Sequence, residues 1–462
     1  MPATPPPLPP LAGGPTGADA LRPLLETVLD ALRGGAADRG GPLPAGGPDA
    51  VGDALRRAVG EVLPRHGAGA AEALHRLVHA VARGSADPAD PACAAHLHTS
   101  PLALATAADL AVSALNPSLD SWDQAPAASA LEAAVTTALA AEIHPGAPAP
   151  DAVITSGGTE SNHLALLLAR ERAPGPLRVL CSPAAHHSVR RAAWLLGLPA
   201  PVTLPGDGGL DPAALDTALG DLPGPRLVVA TAGTTDTGRI DPLRAIADLC
   251  ARHRAELHID AAYGGGLILS ERHRPLLDGL DRADSVTLDL HKLGWQPVAA
   301  GVLAVADRDR LAPLGLTADY LNAEDDTDAG LPDLLGRSLR TTRRPDVLKI
   351  AVTFAALGRD GLAQLVDTVM DSARHFARLV AAHPRMELWE HPTLTTVLFR
   401  PTHAEDEQIA AIRRTLLTEG RCVLGRARAD GRLWLKATLL NPHTTPDDLA
   451  RLIDLVEGST PT

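Results

Sequence analysis

The stretch of sequence that decides the fold is residues 255–292, which begins AELHIDAAYGGG and ends DSVTLDLHK. It holds two short apolar runs: Asp260 closes the first, and His291 and Lys292 directly follow the second. Short apolar runs of this kind indicate buried β-strands. In open α/β sheets ligands bind beyond the carboxyl ends of the strands, so these residues are the first candidates for a functional site.

The same alternation of strands and helices extends on both sides of this stretch. Further apolar runs are DAVITS (151–156), LRVLCS (177–182), RLVVAT (226–231) and VAAGVLAVA (298–306). Between them lie segments with helical spacing of apolar residues, such as SNHLALLLARER (161–172) and PLRAIADLCARH (242–253). This pattern predicts an α/β domain whose mostly parallel sheet is covered by helices on both faces.

The sequence as a whole predicts four segments. Residues 1–18 are Pro-rich and expected to be disordered, because proline neither continues a helix nor donates to a sheet. Residues 19–95 contain short amphipathic helical patterns separated by Gly/Pro-rich breaks, which favours a helical arm that packs on another subunit. Residues 96–366 are the large domain, and residues 367–462 are a smaller α+β domain.

Composition excludes several classes of protein. The 462 residues carry a formal net charge of -13 and contain no long basic run, which argues against binding to nucleic acid or anionic membranes. The four cysteines form no CxxC pair, so neither a zinc site nor a disulfide framework is expected. The N-terminus lacks the pattern of a signal peptide, and no uninterrupted apolar stretch of about 18 residues occurs. We therefore expect a cytoplasmic protein.

Lysine is so rare in this chain that each one is informative. Of 42 lysines and arginines only Lys292, Lys349 and Lys436 are lysine. A Schiff-base lysine must lose a proton, which arginine essentially cannot do, and burial or a nearby charge makes that loss easier. Lys292 follows an apolar strand beside a histidine, so it is the candidate nucleophile. Lys349 is interpreted as an anion contact or a surface charge, and Lys436 as structural.

Two further strand ends carry unusual residues, and each has an ordinary interpretation as well. Gly157, Gly158 and Thr159 lead into a helix, which indicates either a phosphate cradle or a Gly-rich loop with a helix cap. The adjacent pair His186 and His187 invites a metal site, but neighbouring side chains diverge and no third ligand has suitable spacing. Stacking of one imidazole on a flat ring is the better use.

The carboxylate of Asp260 also has two interpretations, a helix cap or the counter-charge of a protonated pyridine nitrogen. The small side chain of Ala262 would let a flat ring lie close to it. A phosphate cradle, a pyridine partner, a stacking imidazole and a Schiff-base lysine together fit one cofactor, pyridoxal phosphate.

Five segments occur in the order found in the pyridoxal-dependent group II decarboxylases, and the sequence resembles that family. They are TSGGTESNHLALLLAR (155–170), AHHSVRRAAWLLG (185–197), VVATAGTTDTGRIDPL (228–243), LHIDAAYGGG (257–266) and DSVTLDLHK (284–292). The segments AHLHTSP (95–101) and ADYLNAEDD (318–326) are most similar to the bacterial L-2,4-diaminobutyrate/lysine branch. The resemblance implies the aspartate-aminotransferase-like fold (PLP fold type I) and α-decarboxylation of an L-amino acid, with a diamino acid favoured.

The resemblance also implies roles for individual residues. Lys292, Asp260 and His186 would be catalytic: Lys292 would bind the aldehyde of the cofactor, and Asp260 would pair with the pyridine nitrogen. His186 would stack on the ring, with Ala262 on the opposite face. Thr231 would lie near the phenolic oxygen.

The remaining implied contacts concern the phosphate and the substrate. The phosphate would be held by Gly158, Thr159 and His291, with Ser161 or Asn162 assisting. Family active sites lie at the interface of a homodimer, so four residues would reach the neighbouring subunit's site as substrate contacts: His98, Thr99, Trp122 and Gln124.

The sequence departs from the family at one position. Aromatic-amino-acid decarboxylases carry a loop tyrosine associated with protonation of the substrate carbon, and its place here holds Leu334. The chain contains only Tyr263 and Tyr320, and Tyr320 lies at the start of a predicted loop over residues 319–340. Either another group such as His186 supplies the proton, or the outcome differs. The alternatives are an oxygen-dependent decarboxylating oxidase that yields an aldehyde and a transaminase on the same fold.

Overall fold

The fold is built around a large mixed sheet; the computed structural model describes residues 8–315 and 321–460. In these residues the sheet has seven strands: β1 (Asp151–Thr155), β2 (Arg178–Cys181), β3 (Val202–Thr203), β4 (Arg226–Thr231), β5 (Glu256–Ala261), β6 (Ser285–Asp289) and β7 (Gly301–Val305). Their order is β1-β7-β6-β5-β4-β2-β3. Only β7 runs antiparallel to its neighbours, β6 and β1, so the predicted mostly parallel sheet is confirmed.

Helices precede, cover and follow this sheet. An N-terminal group comprises α1 (Gly17–Arg39), α2 (Gly47–Val59) and α3 (Ala70–Gly84), and α4 (Ala103–Leu115) and α5 (Pro126–Ile143) follow it. The helices between strands are α6 (Gly158–Arg172), α7 (His187–Leu195), α8 (Pro212–Asp221) and α9 (Leu243–His253). The helices after the sheet are α10 (Glu324–Asp328) and α11 (Val347–Ala382). Short 3-10 turns cover Trp122–Gln124, Gly264–Leu269, Arg274–Leu277, Leu280–Arg282, Arg308–Leu314 and Leu335–Arg337.

Strand register brings the polar strand ends to one edge of the sheet. Strands β4 and β5 pair in parallel with Thr231 opposite Asp260, and β5 pairs with β6 with Asp260 opposite Thr287. The interior residues of these strands, such as Val228, Ile259 and Val286, are almost completely buried under the helices. Burial on both faces explains their continuous apolar runs.

The C-terminal part forms a second, antiparallel sheet with its own core. Its strands are β8 (Met386–Leu388), β9 (Thr396–Pro401), β10 (Gly425–Ala429) and β11 (Arg432–Thr438), and its helices are α12 (Asp406–Thr418) and α13 (Pro446–Glu457). Helix α11 runs across position 366/367, where the sequence places the domain boundary, and bends at Gly358, whose φ is 59°. Ala94 packs into this second core, next to an isolated parallel β-bridge between Cys93 and Val423.

Candidate active site

A cavity of about 380 Å³ opens at the carboxyl ends of the central parallel strands. It brings together the residues that the sequence singles out for the cofactor, namely Gly158, Thr159, His186, Thr231, Asp260, Ala262, His291 and Lys292. They come from five different loops and strand ends, so the sheet register, and not proximity in sequence, assembles them. Ligand binding at this edge is the general rule for open α/β sheets.

The amine of Lys292 is held beside a carboxylate that the sequence analysis missed. Lys292 Nζ lies 2.9 Å from Asp289 Oδ2, and the Asp289 side chain is only 2% exposed. Asp289 is the last residue of β6, three positions before the lysine, so its spacing within the run SVTLDLHK was the available signal. The pair places an anion next to the candidate nucleophile.

The carboxylate of Asp260 is buried and hydrogen-bonded on both oxygens. Asn162 Nδ2 donates to Oδ2 at 2.8 Å, and the backbone N–H of Ala262 donates to Oδ1 at 3.1 Å. Asp260 therefore accepts from a local backbone donor and also lines the cavity, and its role as the counter-charge of a pyridine nitrogen stays a prediction. Fixed, partnered carboxylates of this kind can remain charged away from water.

The Gly157–Gly158 loop leaves the backbone of helix α6 open towards the cavity. Gly157 has φ +149°, and a Cβ on Gly158 would lie 2.9 Å from Ala262 Cβ and 3.1 Å from Asp289 Oδ2. Within the described residues no side chain caps the N-terminus of α6. Unpaired N–H groups at the start of a 15-residue helix are a ready site for phosphate.

Two residues suggested as phosphate contacts are used elsewhere. Ser161 Oγ is 2.7 Å from Thr155 Oγ1 in the interior, and Asn162 binds Ser188 and Asp260. The expectation that one of them assists the phosphate stays a prediction, since both side chains contact protein groups and Asn162 also lines the cavity. Thr231 Oγ1, by contrast, is buried at the cavity wall with no hydrogen-bond partner among the described residues. An unsatisfied hydroxyl there fits a ligand oxygen.

The two histidines of the cavity are held in their neutral forms. Burial lowers the pKa of His186 and, independently, that of His291, although the carboxylates of Asp260 and Asp289 oppose the shift. His186 caps α7, since its Nδ1 accepts the backbone N–H of Ser188 at 3.3 Å. Among the described residues, no group of three His, Cys, Asp or Glu side chains is placed to hold a metal ion.

The four residues expected to serve the neighbouring subunit lie outside the cavity of their own chain. His98, Trp122 and Gln124 are exposed, and Gln124 Nε2 donates to Ser121 Oγ at 3.0 Å. Thr99 is buried and donates to the carbonyl of Leu440 at 3.3 Å. Their role at a shared site stays a prediction.

The other singled-out residues have structural settings. Lys349 is fully buried with Nζ 3.1 Å from both Asp109 and Asp346, so the interpretation as a surface charge is wrong. Lys436 lies on β11 and donates to the carbonyl of Thr235 at 3.0 Å, at the edge of the cavity. Leu334 is buried, and Tyr320 lies outside the described residues.

Comparison with known proteins gives consistent matches along the chain. The family model "Pyridoxal-dependent decarboxylase conserved domain" matches residues 71–402. L-2,4-diaminobutyrate decarboxylase of Rhizobium meliloti is 42% identical over 413 residues, which cover 85% of this chain and 83% of that protein. The enzyme of the same name from Acinetobacter baumannii is 32% identical over 437 residues, covering 86% of each.

A solved structure matches over nearly the whole chain. It is the glutamate decarboxylase domain of diaminobutyrate-pyruvate transaminase and L-2,4-diaminobutyrate decarboxylase from Vibrio parahaemolyticus. The TM-score is 0.85 at 31% identity, and the superposition covers 97% of both chains. No described helix of the present chain is long and apolar enough to cross a membrane.

Proposed function

The chain belongs to the pyridoxal-dependent decarboxylase family, and from this premise we propose that it converts L-2,4-diaminobutyrate to 1,3-diaminopropane and CO2. The observation that carries the proposal is the convergence of Lys292, Asp260 and His186 on one cavity, in a chain 42% identical to an enzyme named for that reaction. The cofactor is pyridoxal phosphate, which supplies an aldehyde and an electron-accepting ring when it is bound.

Different residues of the cavity would bind different parts of this cofactor. Lys292 Nζ supplies the amine for the aldehyde, and Asp260 Oδ1 and Oδ2 keep a proton on the pyridine nitrogen. The start of α6 at Gly158 and Thr159, together with His291, holds the phosphate. His186 and Ala262 would enclose the ring, and the hydroxyl of Thr231, which has no hydrogen-bond partner within the described residues, would bind the phenolic oxygen.

The charges of the cavity favour an amino acid with a second amine over one with an acidic side chain. Three carboxylates line it, those of Glu160, Asp260 and Asp289, and Lys292 is the one cation among the described lining residues. Arg340 pairs with Glu160 at 3.2 Å without lining the cavity. None of the described lining residues is arginine, the side chain best suited to bind a carboxylate. A second acidic group on the substrate would therefore meet like charge, whereas a distal ammonium would be attracted.

We also infer a homodimer in which each site is completed by the other subunit. Helices α2 and α3 have no buried residue, and a groove of about 660 Å³ between them is lined by apolar side chains such as Leu55 and Val81. A second copy would cover this face. Light scattering that gives twice the mass of one chain supports the dimer, and a monomer at micromolar concentration overturns it.

We further propose a division of the chain into segments and a cellular location. The chain consists of a Pro-rich tail (1–18), a dimerising arm (19–95), a cofactor domain (96–366) and a small C-terminal domain (367–462). It acts in the cytoplasm, in keeping with four free cysteines, of which Cys181, Cys250 and Cys422 are buried thiols.

A panel of amino acids tests the substrate. Release of CO2 is compared for L-2,4-diaminobutyrate, L-lysine, L-glutamate, L-aspartate and cysteine sulfinate, each at limiting concentration. We expect the highest kcat/KM for L-2,4-diaminobutyrate and the lowest values for the acidic substrates. A preference for any acidic amino acid would contradict the charge argument.

A further inference from the structure

Behind the cavity, a buried chain of hydrogen bonds connects strand β6 to the imidazole of His186. Its members are Ser285, His258, Asn162, Ser188 and His186, with Thr287 and Asp260 bound at the side. Asn162, Ser188 and His258 are completely buried. His258 and Ser188 do not line the cavity, so they can act only through their neighbours.

The direction of each hydrogen bond follows from Asn162. Its amide contacts Asp260 Oδ2 at 2.8 Å on one side, and Thr287 Oγ1 at 2.8 Å and His258 Nε2 at 3.0 Å on the other. Turning the amide over would place its oxygen against the carboxylate. Nδ2 therefore donates to Asp260 and Oδ1 accepts from the other two groups.

The directions of the remaining hydrogen bonds in this network follow from those of Asn162. His258 must carry its proton on Nε2 to donate to Asn162, so its Nδ1 accepts from Ser285 Oγ at 2.9 Å. At the other end, the second N–H of the Asn162 amide donates to Ser188 Oγ at 2.8 Å. Ser188 Oγ–H and the backbone N–H of Ser188 then both point at His186 Nδ1, at 2.8 and 3.3 Å.

From this arrangement, and on the basis of the proposed function, we propose that Asn162 is a positioning residue that fixes Asp260 and His186 together. Through Ser188 it holds His186 as the neutral tautomer with its proton on Nε2, the ring nitrogen left for the cavity. His258 orients the Asn162 amide from behind. His186 therefore donates a hydrogen bond to the ligand as a neutral imidazole, and it does not act as an imidazolium general acid.

The low basicity of both histidines agrees with this assignment. Burial lowers the pKa of His258 to about 4 and lowers that of His186 as well. A proton on Nδ1 of His186 would face the backbone N–H of Ser188, which is a second reason for the neutral form.

The test is the tautomer of His186 in the cofactor-free protein, read by ¹⁵N NMR of histidine-labelled samples. Loss of a signal in His186→Gln assigns the resonances. We expect a single Nε2–H tautomer in the unaltered protein. In Ser188→Ala and in Asn162→Leu we expect a shifted Nδ1 resonance, because the hydroxyl donor to Nδ1 is removed in the first variant and loses its Asn162 partner in the second, while the backbone N–H of Ser188 stays in place. Ser182→Ala is the matched control, since Ser182 is a buried serine of the same loop whose hydroxyl, within the described residues, bonds Ala184 N and no member of the network.

The outcomes separate this proposal from the proposed function. An Nδ1–H tautomer in the unaltered protein, or unchanged His186 signals in Ser188→Ala, overturns the positioning role. Ser188→Ala removes one oxygen atom and keeps the backbone donor, so it remains informative if Asn162→Leu fails to fold. The measurement needs neither cofactor nor substrate, so a failure to decarboxylate L-2,4-diaminobutyrate would leave its result standing.

Discussion

Asp289 Oδ2 lies 2.9 Å from Lys292 Nζ, and the same oxygen would lie 3.1 Å from a Cβ placed on Gly158. One carboxylate is therefore next to both the candidate nucleophile and the proposed phosphate cradle. Before the cofactor binds, this carboxylate pairs with the amine that must become neutral to attack an aldehyde. If the cofactor's phosphate binds at the start of α6 as proposed, the same carboxylate would lie near a group of like charge. For both reasons we expect the carboxylate of Asp289 to lower the affinity of the site for the cofactor.

Asp289→Asn removes this opposition while it keeps the shape of the side chain. We expect pyridoxal phosphate to bind about tenfold more tightly, because ~1.4 kcal/mol is a modest value for one charge a few ångströms away. Titration of the cofactor-free protein, followed by absorbance, gives the Kd. Asp454→Asn, the same change at an exposed position on α13, is the control and should leave Kd unchanged. Weaker binding in Asp289→Asn would show that the carboxylate holds the cofactor.

Lys292→Arg should retain the fold and lose turnover. The guanidinium keeps the positive charge beside Asp289, yet it cannot give up a proton to become a nucleophile. After treatment with borohydride and digestion, mass spectrometry should find the pyridoxyl group on the Lys292 peptide of the unaltered protein and on no peptide of the variant. A pyridoxyl group on Lys349 or Lys436 instead would refute the assignment.

Asp260→Asn should fold normally and lose most of kcat, with a smaller change in KM. The new amide still accepts from the Ala262 N–H, but its NH2 group replaces the oxygen that accepts from Asn162 Nδ2. It also no longer supplies the anion that favours a protonated pyridine. Steady-state kinetics with L-2,4-diaminobutyrate checks the split between kcat and KM. Normal turnover in the variant is incompatible with the proposed role.

The neutral, buried His258 should make the protein less stable in mild acid. Its pKa falls from 6.5 to about 4 on folding, so between these values the unfolded chain binds a proton that the folded chain does not. Stability therefore falls as pH drops from 6.5 towards 4, by up to about 3 kcal/mol. Urea unfolding across this range should show a flatter profile for His258→Gln than for the exposed control His403→Gln. Equal slopes in the two variants would contradict the argument.

A buried ion pair anchors the segment between α10 and α11 to helix α5. Arg343 binds both oxygens of Glu132 at 2.9 Å, and the two side chains are 2% and 6% exposed. Glu132→Gln should lower the free energy of unfolding by about 3–5 kcal/mol, because it leaves a buried guanidinium without its counter-ion. Asp278→Asn breaks the exposed pair with Arg244 and should leave stability nearly unchanged. Similar losses in both variants would mean that burial does not decide the effect.

Much of the fold and the cofactor class could be predicted because the evidence is local. Apolar runs mark β5 and β6, and the residues that end them are adjacent in sequence to the strands that place them. The family matches confirm the predicted family, fold class, cofactor and decarboxylase activity.

The remaining features depend on contacts that no local pattern records. Asn162 meets Asp260 across 98 residues of sequence, and Lys349 finds its partner Asp109 on α4, so neither setting follows from spacing. The predicted role of Trp122 as a substrate contact depends on the proposed second subunit and cannot be read from one chain. Asp289 is the exception among these features. It lies three residues before Lys292 in the run SVTLDLHK, so its position near the lysine could have been predicted from the sequence.

The most direct test of the account is the stoichiometry of the reaction with L-2,4-diaminobutyrate in a sealed vessel fitted with an oxygen electrode. Mass spectrometry measures the organic product, and CO2 is trapped and counted. We expect one 1,3-diaminopropane and one CO2 for each substrate molecule consumed, at the same rate with and without oxygen. An aldehyde with ammonia and oxygen uptake, or a keto acid without CO2, would contradict the assignment of this chain as a diamino-acid decarboxylase.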